Sequence, residues 1–151
     1  MATKYRGSQD EIRALSALIN LMRASEACAA SLQREIADKR LTGSQFGILE
    51  ALLHLGPVCQ GELAGKLLRS GGSVTSVVAG LEKKGLVERR RDGADKRFVS
   101  VVLTEKGKKL IGAIFPEHAK TVARQFAVLT APEQEELRRL CRKLGKSISP
   151  A

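Results

Sequence analysis

The sequence has few aromatic residues and no long apolar run: its 151 residues include no tryptophan, one tyrosine and four phenylalanines. So small an aromatic content argues against the stacked-base platforms that bind single-stranded nucleic acid. A membrane-spanning helix needs about 20 consecutive apolar residues, and no stretch of the sequence comes near that length. Residues 1–9 are polar and lack the apolar segment of a secretory signal, so we expect a cytoplasmic protein.

Cysteine and histidine are also scarce. The three cysteines, Cys28, Cys59 and Cys141, are far apart and have no Cys-x-x-Cys spacing, which argues against a disulfide framework or a zinc site. The two histidines, His54 and His118, have no further ligands at metal-binding spacing. We therefore expect neither a metal ion nor another cofactor.

Cys28 has two interpretations. It lies on the first predicted helix between Ala27 and Ala29, where small side chains favour close packing. The simpler interpretation is therefore an inert, packed thiol. The alternative is a redox-sensing thiolate that reacts with electrophiles or oxidants, which requires solvent access and a stabilised thiolate.

Recognisable patterns of catalytic residues are missing as well. We find no Gly-x-Ser-x-Gly, His-Glu-x-x-His, phosphate-loop or dinucleotide-binding pattern. The sequence is therefore not expected to be an enzyme.

Positive charge is abundant and unevenly distributed. The formal net charge is +10, yet residues 1–65 hold seven basic and seven acidic residues. Residues 66–109 hold twelve basic and five acidic residues, and residues 110–151 hold seven and four. Most of the excess thus lies on one segment, as expected of a surface that binds a polyanion. A merely solubilising surface is the alternative.

The periodicity of apolar residues predicts six helices and one β-hairpin. The helices are expected over residues 9–40, 45–54, 60–68, 73–85, 105–129 and 134–148, and the strands over residues 86–90 and 98–103.

Residue types at the predicted helix ends support these boundaries. Ser73 suits the N-cap of the fourth helix, and Gly85 suits its end. Thr130 and Glu133 have the spacing of a capping box. Pro116 is expected to bend or interrupt the fifth helix.

The helices over residues 60–68 and 73–85 are joined by a tight turn containing glycine, which is the helix-turn-helix arrangement. The later helix suits the major groove of duplex DNA, and the basic hairpin tip that follows it suits the backbone or the neighbouring minor groove. The first and last helices are more apolar than one small domain can bury, so we expect a homodimer that binds a palindromic site. We predict a mainly α fold with a small β-hairpin wing: a winged helix-turn-helix region over 41–104 and helical dimerisation regions over 9–40 and 105–148.

Four short stretches follow one another in a characteristic order. They are Leu-Thr-Gly-Ser-Gln-Phe at 41–46, Leu-Glu-Lys-Lys-Gly-Leu-Val at 81–87, Asp-Lys-Arg at 95–97 and Leu-Thr-Glu-Lys-Gly at 103–107. With the matching order of elements over about residues 10–147, they resemble the MarR family of bacterial winged-helix transcription regulators. The resemblance implies a homodimeric, DNA-binding regulator of transcription, most often a repressor, that a small effector releases from its operator.

A narrower likeness concerns the effector. Residues 70–78, Ser-Gly-Gly-Ser-Val-Thr-Ser-Val-Val, and residues 114–118, Ile-Phe-Pro-Glu-His, resemble regulators that respond to quinones, catechols and related phenolics. The effector that this resemblance implies is a small aromatic or phenolic compound or an electrophile.

The residues expected to contact DNA lie on the fourth helix, the turn before it and the wing. As the resemblance implies, Arg97 enters the minor groove and Asp95 orients its guanidinium; a solvated hairpin tip is the alternative. The hydroxyls at the start of the fourth helix suit phosphates or base edges, and Lys83 is either a distal phosphate contact or solvated surface. The whole set is Arg69, Ser70, Ser73, Thr75, Ser76, Lys83, Arg91, Asp95, Lys96 and Arg97.

In this family the effector pocket lies where the dimerisation helices meet the reading domain. The resemblance therefore points to Phe46, His54, Phe115 and His118, on the second and fifth helices, as pocket residues. A winged-helix protein-interaction module that does not bind DNA is the alternative function, and the basic helix and wing argue against it.

Overall fold

The computed structural model describes residues 5–67, 71–91 and 99–148. This part of the chain is mainly helical with one small sheet, which confirms the predicted fold class, and it divides into two compact units between Gly43 and Ser44. No helix in it is long and apolar enough to cross a membrane. The elements are α1 (Gln9–Ile36), α2 (Gly43–Leu55), β1 (Val58–Cys59), α3 (Gln60–Lys66), α4 (Gly71–Lys83), β2 (Val87–Arg91), β3 (Val99–Leu103), α5 (Glu105–Phe126) and α6 (Ala131–Ile148).

The first unit consists mainly of α1, which begins with a capping box. The Ser8 hydroxyl accepts the Glu11 N–H at 3.2 Å, and the Ser8 N–H donates to the Glu11 carboxylate at 2.7 Å. Both bonds satisfy backbone donors that an α-helix leaves open at its start. The helix ends at Ile36, before the predicted residue 40, because a 3-10 turn over Ala37–Lys39 follows and Arg40 takes the left-handed conformation with φ of 55°.

The second unit has a hydrophobic core to which α2, α3, α4, α5 and the sheet all contribute. Burying each large aliphatic or aromatic side chain contributes about 1.5 to 3 kcal/mol. The fully buried side chains include Phe46, Ile48, Leu49, Leu63, Val74, Val78, Leu81, Val101 and Ile111. This core fixes which face of each helix points inward.

The three strands form one antiparallel sheet in the order β1–β3–β2. In the hairpin, Val87 pairs with Leu103 and Arg91 pairs with Val99, so Arg91 belongs to β2 rather than to the turn where the sequence pattern placed it. The pattern also did not predict β1, because two residues are too few to show an alternation of apolar and polar side chains.

Gly85 adopts the left-handed conformation that the sequence predicted for the end of the fourth helix, although α4 itself ends two residues earlier, at Lys83. Its φ of 67° lies in the left-handed region, which glycine adopts without steric cost. The Gly85 N–H donates to the Glu82 carbonyl oxygen at 2.8 Å, and the Leu86 N–H donates to the Leu81 carbonyl oxygen at 3.0 Å. This is the Schellman arrangement, and because Leu81 and Leu86 are both buried, the turn is anchored in the core.

Helix α5 runs without a break through Pro116, so of the two predicted effects the interruption does not occur, and the bend stays a prediction. Near its start, Gly107 lies so close to Leu86 that a Cβ atom at position 107 would collide with the Leu86 carbonyl oxygen. Only glycine permits two backbones to approach this closely. The contact sets the start of α5 against the turn that follows α4.

Helix α6 begins at Ala131, earlier than predicted, and its start contains one half of the predicted capping box. The backbone N–H and the hydroxyl of Thr130 both donate to the Glu133 carboxylate, at 2.7 and 2.8 Å, and these bonds, the backbone one first, lower the pKa of Glu133. No residue of this helix is buried. Its apolar residues Leu137, Leu140, Leu144 and Ile148 all remain exposed.

Candidate nucleic-acid interface

Helix α4 exposes its hydroxyls and buries Val74, Val78 and Leu81. Ser73, Thr75 and Ser76 are exposed, whereas Val74 and Val78 are buried in the core. Since apolar burial fixes the rotation of a helix about its axis, the polar face of α4 is held toward the surface. The three hydroxyls that the sequence predicted as DNA contacts therefore share an accessible region.

Ser73 is not the N-cap that the sequence predicted. Helix α4 begins at Gly71, because the two glycines expected in the turn take helical conformation, and Ser73 lies in the first helical turn. The first four N–H groups of a helix have no intrahelical partner, and the helix dipole is positive at this end. A helix start with hydroxyls beside it is an arrangement suited to phosphate oxygens.

Among the valines and leucine of α4, Val77 retains accessible surface. Val74, Val78 and Leu81 are buried, but Val77 is half-buried. A contact of Val77 with a thymine methyl group, the apolar feature of the major groove, stays a prediction.

The two lysines after α4's last apolar residue have different surroundings. Lys83 is exposed, and its phosphate contact stays a prediction. The Lys84 ammonium donates to the Gln45 side-chain oxygen at 2.8 Å, and the Lys106 ammonium donates to the Lys84 carbonyl oxygen at 2.7 Å. Lys84 and Lys106 therefore hold the end of α4 to α2 and α5.

Strand β2 carries three consecutive arginines at the base of the wing. Arg91 is exposed at the end of the strand, in keeping with its predicted contact with DNA. The Arg90 guanidinium pairs with the Glu88 carboxylate at 2.6 Å. The other predicted contacts lie outside the described residues: Arg69, Ser70, Asp95, Lys96 and Arg97.

Arg89 belongs to a polar network that links the wing to both helices of the helix-turn-helix. Its Nε donates to the Gln60 side-chain oxygen at 3.2 Å, and its guanidinium forms an ion pair with Glu82. The Gln60 side-chain amide in turn donates to the Thr75 hydroxyl at 2.7 Å. One arginine of β2 is thus connected to the start of α3 and to two positions of α4.

The sequence did not predict Gln60, Glu82 or Arg89 as part of the site. A signal existed for Arg89, because it lies two residues after the buried Val87 and so shares its face of the strand. No pattern placed Gln60 and Glu82 beside it, since that depends on how α3 and α4 pack on the sheet.

The four predicted pocket residues lie together in one aromatic cluster. The ring centroids of Phe46 and His118 are 4.7 Å apart, as are those of His54 and Phe115, and both pairs meet edge to face. Phe115 and His118 are 6.2 Å apart. Phe46 is buried and His54 exposed, with the other two half-buried, so the cluster extends from the core to the surface. Its role as an effector pocket stays a prediction.

A cavity of about 590 Å³ lies at the base of the wing, between the end of α2, β2, β3 and the start of α5. Leucine and valine side chains form part of its lining, and Arg90 and Lys108 belong to it together with Glu88 and Glu105. Each cation pairs with one of these carboxylates, and the hydrogen bond from Lys108 lowers the pKa of Glu105. None of the four aromatic-cluster residues lines this cavity.

The three cysteines occupy different environments. Cys28 and Cys141 are exposed, and the sensing role of Cys28 stays a prediction. Cys59 is the N-cap of α3, where its sulfur accepts the Glu62 N–H at 3.5 Å. Within residues 5–67, 71–91 and 99–148, no group of three or more His, Cys, Asp or Glu side chains is arranged to hold a metal ion.

Known proteins resemble the chain over nearly its whole length. Residues 41–97 match the model of the MarR family. The uncharacterized HTH-type transcriptional regulator YkoM of Bacillus subtilis is 32% identical over 139 residues, which cover 91% of this chain and 90% of that protein. The HTH-type transcriptional regulator MhqR of the same organism is 32% identical over 133 residues, which cover 88% and 92%.

A solved structure agrees with these relatives. Bordetella bronchiseptica BpsR, whose DNA binding is regulated by 6-hydroxynicotinic acid, superposes with a TM-score of 0.76 at 28% identity, covering 85% of this chain and 98% of that one. The fold, the exposed polar face of α4 and the extent of these similarities lead to one conclusion. The chain belongs to the MarR family of DNA-binding, winged helix-turn-helix transcriptional regulators.

Proposed function

We propose that the chain acts as a homodimer that binds a palindromic operator in double-stranded DNA and represses transcription until a small aromatic ligand releases it. The observation that carries the proposal is the orientation of α4. Val74 and Val78 are buried, while Ser73, Thr75 and Ser76 are exposed beside the helix start. Helix α4 is the reading helix of this proposal, within a DNA-binding region over residues 41–104.

The wing supplies the second contact with DNA. Arg91 at the end of β2 is exposed, and residues 66–109 hold twelve of the chain's basic residues against five acidic ones. We assign phosphate contacts to Arg69, Ser70, Lys83, Arg91 and Lys96. Arg97 enters the minor groove with Asp95 as its orienting partner, because a guanidinium suits a narrow, electronegative groove.

Dimerisation is supported by apolar surface that one copy leaves uncovered. Leu137, Leu140 and Leu144 of α6 are 38%, 48% and 45% exposed, and they recur at helical spacing on one side of the helix. In α1, Leu18 and Met22 are 51% and 54% exposed. Contact between two copies would bury these side chains, and the two-fold axis would present two reading helices to two half-sites of a palindrome.

The effector is proposed to act through the cluster formed by Phe46, His54, Phe115 and His118. Aromatic rings that extend from the core to the surface, with polar nitrogen atoms among them, suit a hydroxylated aromatic compound, and 6-hydroxynicotinic acid regulates the DNA binding of the related BpsR. Such a ligand releases DNA only to the extent that it prefers dimers whose reading helices do not match the half-site spacing.

The basic excess and the relatives favour this function over an enzyme or a protein-interaction module. Named relatives are transcriptional regulators, and a regulator of this kind acts in the cytoplasm, where the bacterial chromosome lies. A protein adaptor has no requirement for the exposed Arg91 of β2 or for an exposed hydroxyl face on α4.

The test places one negative charge on the reading helix. Ser76→Asp should lower the affinity for duplex DNA at least tenfold, because the new carboxylate faces phosphates at close range. The affinity is measured for a duplex that the wild-type protein has selected from a random-sequence pool. Ala123→Asp, on an exposed position of α5, is the matched control. Because α5 belongs to the region proposed for dimerisation, sedimentation verifies that this variant is dimeric, and it should bind as the wild type does. Equal binding by Ser76→Asp and the wild type would remove α4 from the interface.

A further inference from the structure

We propose that Arg89 is a positioning residue for DNA recognition: it fixes the reading helix relative to the wing and thereby sets the affinity for the specific duplex without itself contacting DNA. The inference rests on the proposed function, since it assumes that α4 and the wing bind one duplex together. It assigns roles to Arg89, Gln60 and Glu82, none of which belongs to the DNA-contacting set.

The geometry places Arg89 at the centre of three elements. Its Nε donates to the Gln60 side-chain oxygen at 3.2 Å, and its Nη1 forms the ion pair with Glu82. Gln60 begins α3, Glu82 lies near the end of α4, and Arg89 lies in β2. The two helices of the helix-turn-helix are thus tied to the strand that leads into the wing by a single guanidinium.

Gln60 extends the network to the other end of the reading helix. Its side-chain amide donates to the Thr75 hydroxyl at 2.7 Å. Thr75 and Glu82 are seven residues apart, which is about 10 Å along an α-helix. Helix α4 is therefore restrained at two separated points, and this defines its tilt as well as its distance from the wing.

An arginine suits this task and a lysine does not. The guanidinium is a planar fork that can donate in two directions at once, whereas an ammonium is a point charge on a flexible stem. The side chains of Arg89 and Glu82 are 32% and 28% exposed, so the ion pair is partly withdrawn from solvent and less screened than a surface pair. Removing one partner leaves the other partly buried and unpaired, which favours rearrangement of the local packing.

The same contacts argue against a direct role of Arg89 on phosphate. Its guanidinium is already engaged by a carboxylate and an amide oxygen, and a phosphate contact would have to displace them. Arg90 has its side chain 64% exposed and lies on the opposite face of the strand. Arg90 therefore provides a control with the same charge at the neighbouring position.

The experiment compares binding of two duplexes by full-length variants. One duplex is selected from a random-sequence pool by the wild-type protein, and the other is an unrelated duplex of the same length. Affinities of the wild type, Arg89→Met, Arg89→Lys, Gln60→Ala and Arg90→Met are measured between about 50 and 200 mM salt. Circular dichroism and thermal unfolding verify that each variant is folded.

We expect the Arg89 variants to lose specificity for the selected duplex while keeping the same number of phosphate contacts. Arg89→Met and Arg89→Lys should each lose about tenfold in affinity for the selected duplex, which is the size of effect expected from one broken network. Their affinity for the unrelated duplex should fall no more than that of Arg90→Met. The slope of log affinity against log salt should equal that of the wild type.

A double-substitution cycle gives a second readout that does not depend on one variant. If Arg89 acts in part through Gln60, the double variant of Arg89→Met and Gln60→Ala should lose less affinity than the sum of the two single losses, because both single variants remove the same Arg89–Gln60 bond. Additive losses would show that the two residues act independently and would overturn the proposal.

Two further results would overturn it. Full retention of affinity by Arg89→Lys, with a salt slope reduced by about one in Arg89→Met, would identify a direct phosphate contact. Unchanged specificity in every Arg89 variant would show that the network has no role in recognition. Failure of the proposed function is distinct from both, since the wild-type protein would then select no duplex from the pool.

Discussion

The Thr104 hydroxyl donates a hydrogen bond to the Gly85 carbonyl oxygen at 2.7 Å. The same hydroxyl oxygen accepts the Gly107 N–H at 3.0 Å as the N-cap of α5, and the Thr104 N–H donates to the Leu86 carbonyl oxygen at 3.1 Å. One residue thus joins the turn after α4 to the start of α5. A shift of α5 must break these bonds or carry the end of α4 with it.

Replacing Thr104 by valine should lower the free energy of unfolding by about 1 to 2 kcal/mol. Valine keeps the shape of threonine but loses the N-cap and the bond to Gly85, and a lost cap of this kind has that magnitude. Chemical denaturation of Thr104→Val and Thr104→Ser measures the effect. Thr104→Ser keeps the hydroxyl and should stay close to the wild type; equal stability of all three proteins would contradict a structural role for this bond.

Alanine at position 107 should destabilise the protein by about 1 to 3 kcal/mol, the range for overpacking. The added Cβ atom would collide with the Leu86 carbonyl oxygen, a backbone atom that cannot move aside alone. Gly112→Ala in the same helix is the matched control, because a Cβ atom there meets nothing within 4 Å. That variant should gain about 0.5 to 1 kcal/mol from helix propensity. Similar unfolding midpoints for the two variants would show that the backbones are not in close contact.

A charge in the apolar stripe of α6 should weaken the proposed dimer. Leu140→Lys buries an unpaired ammonium if this stripe is the interface, so the dimer dissociation constant should rise roughly tenfold or more. Sedimentation over a concentration series measures it, with Leu140→Met as the conservative control. Affinity for a palindromic duplex should fall by about a hundredfold as the second half-site is lost. A Leu140→Lys protein that remains dimeric places the interface elsewhere.

Substitution in the aromatic cluster should separate ligand response from DNA binding. Catechol, a benzoquinone and 6-hydroxynicotinic acid are the compounds to titrate against the protein–duplex complex. At least one compound should release the wild-type protein from the duplex. Release of the Phe115→Leu variant should require about tenfold more of that compound, because Phe115 contacts both histidines of the cluster. Phe126→Leu, farther along α5, is the control. If the compound released Phe115→Leu from the duplex at the same concentration as it releases the wild type, this cluster would be excluded as the effector site.

The sequence was sufficient to predict the order of the helices and of the hairpin, although not β1. Apolar residues at helical spacing predicted all six helices. Gly85 predicted the end of the fourth helix, because the preference for glycine in a left-handed conformation after a helix depends on local sequence alone. The prediction for Ser73 was wrong for a related reason. A Gly-Gly pair suggests a turn by propensity, but in the fold both glycines belong to α4, since burial of Val74 and Val78 outweighs the local preference.

Contacts between distant residues could not be predicted in the same way. Arg89 meets Gln60 and Glu82 only after α3 and α4 have packed on the sheet, and no local pattern encodes that packing. The aromatic cluster is the opposite case. The resemblance to a family suggested Phe46, His54, Phe115 and His118 as one group, and the structure brings these rings together, although their function as a pocket stays a prediction.

The most direct test of the central claim is the salt dependence of duplex binding by the wild-type protein. Two reading helices and two wings on one duplex should neutralise about six or more phosphates, so the affinity should fall roughly a thousandfold between 50 and 200 mM salt, with log affinity linear in log salt. Binding that is absent at low salt, or that changes by less than about threefold over this range, would contradict a dimer that grips duplex DNA with α4 and the wing.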